Sequence, residues 1–266
     1  MDPFEAFKAV QREGWAYFAP LEMVTIPTAG QLVVFAGIRA GQRVADLACG
    51  TGVVAVTAAR LGAKVTGLDL TPELLTRARL NASIAEVDID FHEGDVEKLP
   101  FADAAFDVVV SQFGHMFAPR PDVALAEMLR VLKPGGTLAF STWPPELFTG
   151  SMFTMVSRYL GPPAGPAPAP APLWGDPNVV RERLGTAVRD IVFKRADMNV
   201  ATMSPQHHRQ LTERTAGPVR QLVASFAAND PAKLAAFRRE YDDLASQYIE
   251  QNIMRQGYLM TRSTKI

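Results

Sequence analysis

Cysteine is almost absent. Cys49 stands alone in 266 residues, which excludes an intrachain disulfide and any cysteine-built metal cluster and fits a reducing compartment. An excess of either charge is missing too, with 27 Lys and Arg against 28 Asp and Glu and a pI near 6.4. A surface that tracks nucleic-acid phosphates announces itself by clustered Lys and Arg, so a small or neutral substrate suits this balance better than DNA or RNA. No apolar run reads as approaching the ~20 residues of a membrane span. The opening stretch MDPFEAFKAVQREG carries acids and lacks the apolar segment of a secretion signal. These absences predict a cytoplasmic protein with a small-molecule partner, no nucleic-acid partner and no membrane partner; they leave oligomeric state open.

The most informative stretch is VADLACGTG, from Val44 to Gly52. An apolar run closes on Asp46, breaks at Gly50 and Gly52, and is followed at once by the helix-compatible VVAVTAARLG. A strand, a glycine turn and a helix N-terminus put free backbone N–H groups at one sheet edge, where a nucleotide-like ligand can lie against bare main chain. The next strand pattern, AKVTGLDL, delivers Asp69 nineteen residues beyond Gly50, near the interval at which a carboxylate meets the ribose hydroxyls of an adenosine ligand.

This stretch resembles motif I of the class I S-adenosylmethionine (SAM) dependent methyltransferases, of the small-molecule, type 11-like kind. Four later segments follow in the order of that family: the strand ending at Asp69, EGDVEKLPF (93–101), AFDVVVSQF (105–113) and RVLKPGGTLAFSTW (130–143). The resemblance implies SAM as cofactor, with Asp46 near the methionine amino end and Ala48, Cys49, Gly50 and Gly52 as the turn. It further implies Asp69 at the ribose, Asp95 and Val96 at the adenine, and Leu70, Ser111 and Gln112 among the other cofactor-binding residues. Two other readings compete. Gly50, Gly52 and Ala55 satisfy the GxGxxA of a nicotinamide-dependent oxidoreductase, and a SAM-binding module without catalytic activity would carry the same motifs.

From Gln42 onward apolar strands alternate with helical segments, the signature of right-handed βαβ units and a parallel sheet. The expected fold is a Rossmann-like, seven-stranded, mostly parallel sheet with helices on both faces and a helical cap. The whole chain, 1–266, reads as one domain: N-terminal helices over 1–40, a cofactor core over 41–145, helices and a Pro/Ala-rich segment over 146–190, and the last strands over 191–266. Asp2–Pro3 reads as the start of a first helix running to Gly14, and a second spans Pro27 to Gly37. Leu125, Leu129 and Leu132 form the stripe of a helix opened by Pro121 and stopped by KPGG. GPPAGPAPAPAPLWGDP (161–177) reads as extended or mobile. Strands are expected at 191–200 and 257–262, with a cap insertion over 204–250 built from two helices, one carrying Val219, Leu222 and Phe226, the other Leu234, Phe237 and Tyr241.

Methyl transfer from a sulfonium is an in-line displacement, so alignment and water exclusion come first. On the acceptor side His115, just past the fourth strand, is the candidate catalytic base. Tyr17, Phe18, Phe113, Met116 and Trp143 are the candidate substrate wall. His207 and His208, on the cap, read as a surface pair. SQFG in place of an Asn/Asp-Pro-Pro-aromatic segment argues against nucleic-acid amino methylation, and the lone cysteine against arsenic chemistry. No metal is expected, and whether the accepting atom is O, N, S or C stays open.

Overall fold

The computed structural model describes residues 2–162 and 165–266. Asp2 accepts the Phe4 N–H at 2.9 Å, closing a turn ahead of helix α1 (Glu5–Trp15), so the helix begins slightly later than Asp2–Pro3 implies. Helix α2 (Glu22–Ala36) begins five residues before Pro27, which lies inside it. The last turn is closed by Gly37, whose φ of 70° suits a residue without a Cβ.

The core alternates as its pattern predicts: β1 (Arg43–Leu47), α3 (Val53–Arg60), β2 (Lys64–Asp69), α4 (Pro72–Ile84), β3 (Ile89–Glu93), β4 (Phe106–Gln112), α5 (Pro121–Val131) and β5 (Leu132–Thr142). Leu132 pairs with Phe106 instead of ending the helical stripe, and KPGG is absorbed into an irregular stretch where the β4–β5 register shifts. There follow α6 (Phe148–Leu160), α7 (Pro177–Leu184), β6 (Val188–Ala201), α8 (Pro205–Thr215), α9 (Gly217–Asn229), α10 (Pro231–Ser246), the two-residue β7 (Ile249–Glu250) and β8 (Ile253–Lys265).

The sheet order is β3-β2-β1-β4-β5-β8-β6, with β7 hairpinned onto β8, so the described residues give eight strands where seven were expected. All pairs from β3 to β5 are parallel, and β8 runs antiparallel to both neighbours. Val108, Val109 and Val110 on β4 are buried on both faces, each contributing ~1.5–3 kcal/mol through burial. Chain order reverses between β1 and β4, which opens a crevice at their carboxyl ends.

The β6–β8 ribbon outruns the sheet. Thr142, the last residue of β5, pairs with Leu259, whereas β8 continues back to Ile253 beyond β5, held by β6 and, at its start, by β7. That overhang carries the cap, α8 to α10, above the carboxyl edge. Three helices build it instead of two: Ser204 accepts the His207 N–H and Pro205 occupies the first helical position, which starts α8.

Ala19–Ala36 has a mean hydropathy of 1.3 over 18 residues, long and apolar enough to pass for a span by composition, so the expectation of no such run was too strict. Ala29, Leu32, Val33 and Ala36 spend that hydrophobicity in the core, where α2 packs on β4, β5, β6 and β8. The Pro/Ala tract also differs from expectation. Ala171–Gly175 forms a 3-10 turn, Trp174 is 1% exposed, and Gly175 lies so close to Pro144 that a Cβ would come within 2.3 Å of it. The mobile reading therefore fails for this end of the tract, while Pro163 and Ala164 lie outside the described residues.

Candidate active site

Above the β1–β4 crevice and below the cap lies a cavity of about 230 Å³. Two loops form its floor, and both carry unusual backbone. After β1, Ala48, Gly50 and Gly52 have φ of 53°, 53° and 77°; after β4, Phe113 has φ of 61°. A left-handed alanine and phenylalanine cost roughly 1–2 kcal/mol each, and the neighbouring structure holds them. Cys49 donates to the Leu68 carbonyl at 3.0 Å, Phe113 donates to that of Ser141 at 3.0 Å, and Gly114 packs so tightly that a Cβ would lie 2.5 Å from that of Ala48. Strain of this kind collects at ligand sites.

The carboxylates differ in what they have left to offer. Asp46 is buried; its Oδ2 accepts the Ala55 N–H at 2.9 Å and its Oδ1 has no partner among the described residues. Burial, helped by the charge of Asp69, pushes the Asp46 carboxyl up to about 8. Gln112 donates from Nε2 to the Thr25 carbonyl at 3.0 Å and to Thr28 Oγ1 at 2.9 Å, which fixes the amide and leaves Oε1 without a partner among the described residues. Two buried acceptors with spare lone pairs suit an ammonium group. Asp69 accepts the Gly50 and Thr71 N–H groups at 2.7 and 2.8 Å, and burial raises its pKa. Each of its oxygens keeps a lone pair for a vicinal diol. Asp95 accepts the Glu97 N–H at 2.9 Å and pairs with Lys8 at 2.6 Å.

The cavity gathers Asp46, Ala48, Cys49, Gly50, Asp69, Leu70, Asp95, Val96 and Gln112 at one end, and Phe18, Phe113 and Trp143 toward the other. Phe113 and Trp143 stack with ring centroids 3.9 Å apart. Cys49 is buried and its thiol is pushed up by desolvation, so it lines the turn without acting as a nucleophile.

Five expected site residues lie elsewhere. Gly52 turns its α-carbon inward, where a Cβ would meet Ala78 at 3.0 Å and Phe91 at 3.2 Å; it shapes the turn and is not in the lining. Ser111 faces away from the cavity, because its neighbour Gln112 takes the cavity side and strand side chains alternate; Ser111 Oγ accepts the His115 N–H at 3.1 Å. Tyr17 is half exposed under the Arg220 guanidinium, and Met116 is core. His115 is the main correction: it is fully buried behind the loop, between Phe140 and Trp174, and outside the lining. Desolvation and the nearby Arg183 charge push its imidazole down to about 3, so it lacks both the access and the basicity of a catalytic base.

The structure supplies another histidine. His208, expected on the surface, is buried, lines the cavity and bonds Tyr241 and Gln256. The signal was there: Ser204–Pro205 starts a helix, and His208, Leu211, Thr212 and Thr215 follow at i, i+3, i+4 and i+7. Lys8, which reaches the cavity from α1, had no such signal, since its partners Asp2, Asp95 and Glu97 are scattered in sequence.

A switch-point crevice with a glycine turn, unpaired acceptors and a strand-linked cap defines a nucleotide-type α/β site. Comparison with known proteins makes this specific. The sequence profile of a methyltransferase domain family matches residues 45–140. A protein of Mycobacterium tuberculosis is 35% identical over 98% of this chain and 96% of its own length. The demethylmenaquinone methyltransferase of Renibacterium salmoninarum is 42% identical over 49% of this chain and 53% of its own. Among solved structures, the YcgJ protein of Bacillus subtilis shares the fold with a TM-score of 0.59 at 18% identity, covering 89% of this chain and 97% of that one. The chain belongs to the class I SAM-dependent methyltransferases. It is an enzyme that uses SAM as its cofactor, and the nicotinamide reading of Gly50, Gly52 and Ala55 falls away.

Proposed function

We propose that this enzyme methylates a small, largely apolar acceptor enclosed between the carboxyl edge of the sheet and the cap. The observation that carries the reading is the cavity itself. Asp46, Gly50, Asp69 and Asp95 line one end, and Phe113, Trp143, Phe148, Met152 and Phe153 line the other. Bound SAM supplies an activated methyl group. In this reading Asp46 Oδ1 and Gln112 Oε1 receive its amino group, Asp69 its ribose hydroxyls, and Asp95, Leu70 and Val96 its adenine. The apolar end orients the acceptor and excludes water, so that positioning does most of the work. The relative named as a demethylmenaquinone methyltransferase supports a small-molecule acceptor.

The same proposal takes the chain as one domain whose cap is an insertion, because a single apolar core runs from Ala29 to Met260 and includes cap residues such as Leu222 and Phe237. Balanced charge and the lone cysteine support a cytoplasmic location without a nucleic-acid partner. The test is a transfer screen with tritium-labelled SAM across phenols, hydroquinones, amines and thiols. Label should pass to at least one apolar acceptor. Binding of S-adenosylhomocysteine without transfer to any member would instead favour a module that binds and does not catalyse.

A further inference from the structure

The acceptor end of the cavity is built almost without charge. Among the described residues the charged lining groups, Lys8, Asp46, Asp69 and Asp95, all sit at the end assigned to the cofactor. The polar groups facing the apolar wall come from one connected set. Thr149 on α6, His208 and Thr212 on α8 and Gln256 on β8 line the cavity, with Tyr241 on α10 behind them.

One contact orders the whole set. Thr212 Oγ1 donates to the His208 carbonyl at 3.0 Å, so it must accept from the Tyr241 hydroxyl at 2.8 Å. Tyr241 Oη, having spent its proton, accepts from His208 Nδ1 at 2.9 Å. The imidazole is thus the tautomer with a bare Nε2, and that lone pair receives the Gln256 amide at 2.9 Å. Gln256 is thereby held with its nitrogen toward His208 and its Oε1 toward Thr149, which donates across 3.4 Å. Burial keeps the His208 imidazole uncharged, with its pKa pushed down to about 4. A second amide N–H of Gln256 and lone pairs on Gln256 Oε1 and Thr149 Oγ1 remain. Together they offer a donor beside acceptors, which is the complement of a hydroxyl.

We propose that Gln256 and Thr149, held in register by His208 and Tyr241, form the recognition site for a hydroxyl group on an uncharged, otherwise apolar acceptor. The proposal rests on the methyltransferase reading above and narrows its substrate class. An amine that is cationic at neutral pH, or a carboxylate, would give up hydration at this end of the cavity and meet no opposite charge among the described residues. A neutral phenol or alcohol trades its hydration for bonds to Gln256 and Thr149 while its carbon frame lies against Trp143, Phe148 and Met152. His208 and Tyr241 are positioning residues, since they act through the Gln256 amide.

The test is calorimetric titration of the full-length enzyme, saturated with S-adenosylhomocysteine, with four probes of one shape: naphthol, naphthalene, naphthylmethylammonium and naphthoate. Naphthol should bind tightest, by roughly three- to tenfold over naphthalene, the range one net hydrogen bond supplies. Gln256→Leu should erase that ratio, and Tyr241→Phe should shrink it from behind the cavity wall, with S-adenosylhomocysteine affinity unchanged in both. A purely structural role would move stability and leave the naphthol-to-naphthalene ratio alone. The proposal is overturned if the ammonium or carboxylate probe binds best, if naphthol does not bind, or if Gln256→Leu keeps the ratio. Loss of S-adenosylhomocysteine binding by the wild type would instead undo the underlying methyltransferase reading.

Discussion

Cofactor binding should expel a proton from Asp46. In the ligand-free protein its carboxyl has a pKa of about 8, because the group is buried near Asp69 and only the Ala55 N–H favours its ionised form. A raised carboxylate pKa favours the protonated fold, so this group's contribution to stability is complete below the ordinary aspartate range near 4 and disappears as pH rises through about 8. A cationic amino group beside Oδ1 reverses the preference and draws the proton off. At pH 7 the ionisation costs about 1 kcal/mol, and ~0.9 proton leaves per site. Affinity for S-adenosylhomocysteine should therefore climb from pH 6 toward 8, by at most ~10-fold per unit, and then level. Calorimetry at pH 7 in two buffers of different ionisation enthalpy counts the proton directly. Asp46→Asn keeps an acceptor for Ala55 and should abolish most of the release; Asp69, also raised by burial, accounts for any slope that remains. A wild-type titration with no proton exchange, or an Asp46→Asn variant with the same pH slope, would refute the assignment of the amino end to Asp46.

Lys8→Ala removes the cation that joins Asp2, Asp95 and Glu97, all at 2.6 Å, and with it the tie between α1 and the adenine end. Stopped-flow release of S-adenosylhomocysteine should then be several-fold faster, and an unchanged rate would make α1 a fixed wall. The two turn glycines should differ in what an added methyl disturbs, packing at one and the ligand at the other. Gly52→Ala, at φ +77° and 3.0 Å from Ala78, should cost about 1–3 kcal/mol in urea unfolding. Gly50→Ala, at φ +53° but with nothing within 4 Å of its new methyl, should cost only the roughly 1–2 kcal/mol of a left-handed alanine and weaken cofactor binding. His115→Phe removes two buried nitrogens that have no partner among the described residues. Turnover should survive, and because a depressed histidine pKa gives stability present above 6.5 and lost toward about 3, the variant should resist acid better across that window by urea titration. Loss of turnover at full stability would restore His115 as a catalytic group.

The cofactor end was legible because its information is local. A strand, a glycine turn and a helix start lie within one short stretch, and Asp69 and Asp95 sit at the ends of strands that any βαβ reading must place at the same edge. Failures arose where the answer depends on parity or on tertiary packing. Ser111 and Gln112 are neighbours, yet a pleated strand sends only one into the cavity. His115 and His208 both follow motif-like segments, and what distinguishes them is which of two buried environments the fold closes over each ring. Trp174 looked like part of a loose Pro/Ala tract, but its ring is core, over which Arg183 lies at 4.6 Å. Helix α8 was missed although Ser204–Pro205 marks its start, because polar residues dominate the first turn and hide the stripe that begins at His208.

The most direct test of the account is a crystal structure of the enzyme grown with S-adenosylhomocysteine. The ribose hydroxyls should lie within ~2.6–3.2 Å of Asp69, the amino group should reach Asp46 Oδ1 and Gln112 Oε1, and the adenine should rest against Leu70, Asp95 and Val96. A ribose away from Asp69, or an amino group bound by neither Asp46 nor Gln112, would contradict it.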